Sequence, residues 1–206
     1  MSNEKTKVQM DPKYIIKLTV TLFVTCLVVA GLLGGVNAIT AEKIAAINWE
    51  KTVAAMKEVV ADPDATTFSD ALDKTPEMEA AAAAYGALDS IYQVQVNGAP
   101  AGYAIKVVAS GSQGSIEMMV GVDSEGAVTG VSIVSNSETS GIGSKVMANE
   151  PTAAGVGVLT QFEGKSAADG VLTVGKGIDA ISGATVSSKG VTAGVNAALA
   201  VAAVMG

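Results

Sequence analysis

The spacing of hydrophobic and polar positions changes character several times along this 206-residue chain, and each change predicts a different element. Residues 18–36, LTVTLFVTCLVVAGLLGGV, contain no charge, and the uncharged run continues to Ala41. A helix needs about 20 such residues to cross a hydrocarbon core, so the run predicts a single transmembrane helix with some room for tilt. From 42 to 61 the pattern is helical. Ile44, Ile47, Met56, Val59 and Val60 are set among Glu42, Lys43, Glu50, Lys51, Lys57 and Glu58, and the helix should stop before Asp62 and Pro63. A second helix is signalled by Thr75 as N-cap, Pro76 at the first helical position, Glu77 and Glu79 in the first turn, and an alanine run to Tyr85 with Gly86 as the stop. Residues 42–90 therefore read as a helical stalk or connector, following a segment 1–41 of N-terminus and membrane helix.

At Ile91 the period becomes two. Ile91, Gln93, Gln95 and Asn97 alternate with Tyr92, Val94 and Val96, and residues 98–102 are expected to turn the chain into a strand at 103–109. Gly111 and Gly114 bracket another turn, and 116–122 pairs with 127–134 around Asp123, Ser124, Glu125 and Gly126. An antiparallel meander with helices to either side is an α+β plan, and it makes residues 91–206 one domain. Beyond it come a glycine-punctuated loop at 137–146, SETSGIGSKV, entering a helix at Ser144, and a further helical stretch ending near Gln161, Phe162, Gly164 and Lys165. A short strand at 171–174 returns the chain toward residues 179–190. The last element, an alanine- and valine-rich helix at 188–204, should pack on the sheet and is too mildly apolar to read as a second span.

Charge gives the first span a direction. Lys5, Lys7, Lys13 and Lys17 precede it against Glu4 and Asp11, so of the formal net charge of −7 the first 17 residues hold +2 and the remainder −9. Lysine-rich flanks stay in the cytoplasm, which predicts a single-pass protein of the cell membrane with everything after Ala41 extracytoplasmic. A cleaved signal peptide is the competing reading, since Val36, Asn37 and Ala38 resemble a cleavage site, but such apolar cores are usually about 7–15 residues long. An acidic external portion offers no basic stripe for nucleic acid. With no histidine in the chain, His-based zinc sites, haem ligation by histidine and Ser-His-Asp or Cys-His catalysis are excluded. The single cysteine, Cys26, lies inside the apolar run and forms neither an internal disulfide nor a metal cluster. Redox chemistry here needs a borrowed cofactor.

Residues 179–190, DAISGATVSSKG, supply the chemistry. The order is strand, tight turn, helix start. At such a junction several backbone N–H groups lack intrahelical partners and the positive end of the helix dipole points outward, which favours an anionic phosphate. Gly183 permits φ > 0 or close approach, and Thr185 offers a hydroxyl where the phosphate would sit. Taken alone, these residues favour an ordinary N-capped helix in which Ser182, Ser187 and Ser188 are caps and Thr185 is one more turn hydroxyl.

The wording SGATVSS after Asp179 and Ala180 resembles the flavinylation motif of the FMN-binding subunits of Rnf and Na⁺-translocating NADH:quinone reductase complexes. The resemblance implies that Thr185 carries FMN through a phosphoester bond, flanked by Ser182, Gly183 and Ala184, with Asp179 recognised by a separate flavin transferase. GSQGSIEMMVGVD at 111–123 is similar to the same family, with Ser112 where members often have an aromatic. The loop at 137–146 is similar to its second signature: Glu138, Thr139, Gly141, Gly143 and Lys145 match, Ile142 is an apolar contact for the ring, and Ser137 and Ser140 replace the usual histidine and proline. Length favours the Rnf G subunit over the longer quinone-reductase C subunit. What this implies is a covalently flavinylated electron carrier. It would serve a membrane-bound ferredoxin:NAD⁺ oxidoreductase that moves Na⁺ or H⁺, with FMN as cofactor, no metal, and the other subunits as partners. Since no GxGxxG fingerprint is present, NAD⁺ should bind elsewhere. An anchored extracytoplasmic flavoprotein of another electron-transfer chain, and a non-redox anchored binding module, remain the alternatives.

Overall fold

The computed structural model describes residues 11–205. Lys5, Lys7 and Glu4 of the flanking charge cluster lie outside them. The chain divides into two compact units between Trp49 and Glu50. The described part of the first is helical from Pro12 onward: α1 runs unbroken over Pro12–Glu58, so the expected membrane helix and the start of the expected stalk are one 47-residue element. Its apolar side chains between Tyr14 and Trp49 are exposed. The threonine hydroxyls in this stretch bond back to the helix itself, Thr19 to Ile15 O (2.9 Å), Thr21 to Lys17 O (2.8 Å), Thr25 to Thr21 O (2.8 Å) and Thr40 to Val36 O (2.9 Å). A helix surface without water requires this internal satisfaction of polar groups.

The second unit is built on a five-stranded antiparallel meander, β1 (Thr66–Ala71), β2 (Ala87–Val96), β3 (Ala99–Ser110), β4 (Ser115–Asp123) and β5 (Val128–Asn136), in sequential spatial order. Alternation, interrupted by register shifts in the pairings of β1 with β2, β2 with β3 and β4 with β5, gives the sheet two buried faces. Ile105, Val107, Ile116, Met118 and Val120 point to one side, where they meet Val191, Val195, Ala198 and Leu199 of α4 (Thr185–Met205). Tyr92, Val94, Ala104, Met119 and Val134 point to the other, where the last residues of α1 and their neighbour Val59 cover them with Ala55, Met56 and Val59. The end of α1 is tied down by Thr129, whose hydroxyl donates to Val59 O (2.6 Å), and by Ser132, which donates to Glu58 Oε2 (2.6 Å).

Three expectations are corrected. Thr66–Ala71, inside the expected stalk, is the edge strand β1, pairing with β2 from Thr66↔Val96 onward. The turn expected at 98–102 is only Asn97 and Gly98, both at positive φ (53° and 78°), and Val96 faces Ala99 directly. Asn-Gly with both residues left-handed makes the two-residue hairpin turn whose twist suits the flanking strands. The helical stretch expected before Gly164 contracts to a single 3₁₀ turn, Thr160–Phe162. By contrast α2 (Pro76–Ala83) starts as expected, with Thr75 Oγ1 accepting from Met78 N (3.3 Å) and the N–H groups of Tyr85 and Gly86 closing on Ala82 O (2.9 Å each).

Candidate functional site

Two short segments carry the chain from the sheet to α4. β6 (Thr173–Val174) pairs in parallel with β7 (Gly177–Ile178), and the irregular stretch that follows leads to the SGAT turn. Ile178, Ile181 and Ala184 are buried in the core, and this anchors the approach while Ser182, Gly183, Thr185 and Val186 stay exposed. Gly183 adopts φ +83°, a left-handed value costly for other residues, and Ala184 N–H closes the turn on Ile181 O (2.9 Å). The helix then begins at Thr185, three residues earlier than the pattern predicts. Its first backbone bond of the helical type joins Ser188 N–H to Ala184 O (3.0 Å), so the amides of Thr185, Val186 and Ser187 precede any intrahelical acceptor.

The glycine loop reaches the same place from β5. Glu138 N–H bonds to Asn136 Oδ1 (3.1 Å), and Ile142 and Ser144 N–H both bond to Thr139 O (3.2 and 3.3 Å). Ser144 Oγ accepts from Gly141 N–H (2.8 Å) as the single-turn helix α3 (Gly143–Met147) begins. Together the loop, the β3–β4 turn and the first turn of α4 enclose a cavity of about 160 Å³. Seven of the residues expected from the sequence line it: Glu138, Thr139, Ile142, Gly143, Gly183, Ala184 and Thr185.

Ser182, Gly141, Lys145 and Asp179 do not line the cavity. Asp179 is exposed, and its backbone is bracketed by the Gln161 side chain, which accepts from Asp179 N–H (2.7 Å) and donates to Asp179 O (3.1 Å). Lys145 forms no ion pair among the described residues. Three lining residues are not expected there from the sequence. Ser112 stands out only as a departure from an aromatic, Ser187 reads as a helix hydroxyl, and Val186 carries no signal.

Glu138 is the electrostatic centre of the wall. Its Oε1 accepts the N–H groups of Ser112 (2.7 Å) and Gln113 (3.2 Å), and its Oε2 accepts the Ser187 hydroxyl. Burial pushes this carboxyl up, but the Ser187 hydroxyl and the two backbone N–H groups outweigh it and hold the group below the ordinary glutamate value of 4.5.

The cavity suits the phosphoryl end of a flavin nucleotide and not the whole of it. Sites that enclose drug-sized ligands run to about 300–1,000 Å³, so a three-ring system would lie at the mouth. Ile142 and Val186, 51% and 57% exposed, offer apolar surface there. Among the described residues no lysine or arginine lines the cavity, leaving the α4 dipole and its leading amides as the source of positive potential. That complement suits a phosphodiester, with one charge, better than a phosphomonoester with nearly two.

Residues 111–200 match the FMN-binding domain family. The chain is 34% identical over 144 residues to the G subunit of the Na(+)-translocating ferredoxin:NAD(+) oxidoreductase complex of Acetobacterium woodii, covering 68% of this chain and 69% of that relative. It is also 46% identical over 54 residues, 26% of each chain, to the G subunit of the ion-translocating oxidoreductase complex in two Aliivibrio fischeri strains.

Proposed function

This chain belongs to the family of FMN-binding G subunits of ion-translocating oxidoreductase complexes, and on that premise we propose that it is the electron-carrier subunit of an Rnf-type complex, with FMN esterified to Thr185. The observation that carries the reading is the Thr185 hydroxyl itself. It stands exposed at the first position of α4, beside a row of backbone donors and in a cavity that Ile142 and Val186 also line.

Magnitudes favour a covalent attachment. An anion at a helix N-terminus gains about 0.3–1 kcal/mol, and about 2 in sheltered geometry, which is at most roughly a 30-fold preference. An open cavity with no lining cation cannot retain a dilute nucleotide on that margin, whereas an ester bond to Thr185 does not depend on it. When bound, the flavin supplies electron transfer that none of the side chains can perform. The protein's own part is to orient and exclude. Gly183 would let the backbone approach, the Thr185, Val186 and Ser187 amides would hold the phosphodiester, and Ile142 with Val186 would offer the ring apolar surface. Gln161 fixes the Asp179 backbone ahead of the motif, presenting it to the flavin transferase that matures the site.

The uncharged run at 18–41 within α1 crosses the cell membrane in this reading, with the N-terminus cytoplasmic and the flavin domain extracytoplasmic. The other subunits of the complex supply and accept the electrons and move Na⁺ or H⁺. Full-length chain co-expressed with a flavin transferase should give a fluorescent band on a denaturing gel under ultraviolet light and the mass of an esterified flavin on the intact chain. Thr185→Ala should abolish both. A dark wild-type band, or a mutant that stays fluorescent, defeats the assignment.

A further inference from the structure

Glu138 joins three segments that are distant in sequence. It belongs to the glycine loop, its Oε1 holds the β3–β4 turn 25 and 26 residues away, and its Oε2 holds Ser187 on α4, 49 residues away. Two glycines make room for the carboxylate: a Cβ on Gly111 would strike Oε1, and one on Gly143 would strike Oε2 and the Ser187 hydroxyl. Both oxygens are therefore engaged by protein donors inside a fitted niche. A carboxylate placed to receive an anionic nucleotide would repel it, so contact with the cofactor is a poor account of this residue. Ser187 itself is buried, at 1% exposure, two positions after Thr185 on the first turn of α4.

We propose that Glu138 is a positioning residue for the FMN-acceptor threonine: it staples the β3–β4 turn and the glycine loop to the first turn of α4, so that Thr185 is held in one orientation before the flavin arrives. This rests on Thr185 being the acceptor. First turns of helices fray when their amides lack partners, and a hydroxyl on a fraying turn samples many orientations. Anchoring Ser187 to a side chain fixed at two further points removes that freedom, and correct orientation of a reacting group governs rate steeply.

The test compares full-length wild-type, Glu138→Gln, Glu138→Ala and Ser187→Ala chains, each co-expressed with the transferase. It reads in-gel flavin fluorescence over a time course, together with amide hydrogen exchange on the unflavinylated chains. Glutamine keeps an acceptor for Ser112 and Gln113 and an amide for the Ser187 oxygen, so Glu138→Gln should flavinylate within about twofold of wild type, while Glu138→Ala falls about tenfold or more with faster exchange at Ser112 and Gln113. Ser187→Ala cuts one arm and should fall about threefold, which keeps the idea testable if Glu138→Ala does not fold. Wild-type rates in a folded Glu138→Ala, an unchanged Ser187→Ala, or a Glu138→Gln as poor as alanine would each overturn it. If wild type itself is never flavinylated, the failure belongs to the Thr185 assignment instead.

Discussion

Two helices among the described residues are long and apolar enough to cross a membrane, and they treat their apolar surface in opposite ways. The richest 18-residue window of α1 has mean hydropathy 2.3 with none of it buried, whereas that of α4 has 1.3 with 61% buried. Both turn some of their hydroxyls back on their own backbone, Thr21 and Thr25 in α1, Ser188 and Thr192 in α4. They differ in what faces outward. Between residues 18 and 41 α1 carries no charge on any face, with Leu22, Phe23, Leu27, Leu32 and Leu33 each about 59–66% exposed. A helix of that kind needs a lipid or protein surround. α4 thins one face with Gly190 and Gly194 to lie close on the sheet, and uses Asn196 to hold Leu172 N–H and C=O (3.0 and 2.9 Å). Apolarity alone therefore does not separate a span from a core helix; the distribution of small and polar residues around the axis does.

Matched charges should break the two helices differently. Val195 is fully buried, and Val195→Asp places an unpaired carboxylate in the core at a cost of at least about 4 kcal/mol against a total stability of about 5–15. It should abolish cooperative melting. Leu27→Asp falls on an exposed position of α1, so melting of the flavin domain should be unchanged while the chain is lost from the membrane fraction, an aspartate in a span costing about 2.5–3.5 kcal/mol. Equal loss of domain stability in the two mutants would erase the contrast. Glycine replacements test the same point more finely. Gly190→Ala drives a Cβ toward Ser110 O and Ile116, and overpacking of about 1–3 kcal/mol exceeds the gain of about 1 kcal/mol in helix propensity, so melting should drop by a few degrees. Gly31→Ala meets no atom within 4 Å and should leave melting where it is or raise it.

The sequence revealed the elements whose causes are local. Uncharged length marks α1, the Thr75-Pro76 start and Gly86 stop mark α2, and alternation marks the four strands from residue 91. β1 escaped because Thr66–Ala71 is a mostly polar edge strand whose pairing with β2 is a tertiary fact. Within the candidate site, the Gly183 turn and Thr185 were legible as a contiguous motif. Ser187 and Ser112 were not, because their contribution depends on Glu138, which lies 49 and 26 residues away and reaches them only after the meander has formed. Gln161 was hidden for the same reason: its amide meets Asp179 across a loop that carries no periodic signal.

The smallest expected effect is a pH dependence, and it reads what the first turn of α4 gains from a charged partner. In the folded chain the Glu138 carboxyl lies below its ordinary value despite burial, because the Ser187 hydroxyl and the Gln113 and Ser112 amides favour the ionised form. Between the folded and unfolded values the unfolded chain binds more protons, so stability rises with pH in that window. The contribution is complete above the ordinary glutamate range and disappears as pH falls through the lowered folded value. Lys106 acts at the opposite end. Burial lowers its pKa, yet the hydrogen bonds and charges of Asp89 and Glu117 raise it overall, so its contribution holds at low pH and is lost as pH climbs through the raised value. Melting should therefore be flat with respect to these two groups near neutrality. Descending from about pH 5.5 to 3, wild type should lose melting temperature faster than Glu138→Gln, whose latch has no proton to gain. Parallel acid slopes in the two chains would mean that the ionised carboxylate at the head of α4 adds nothing to the fold.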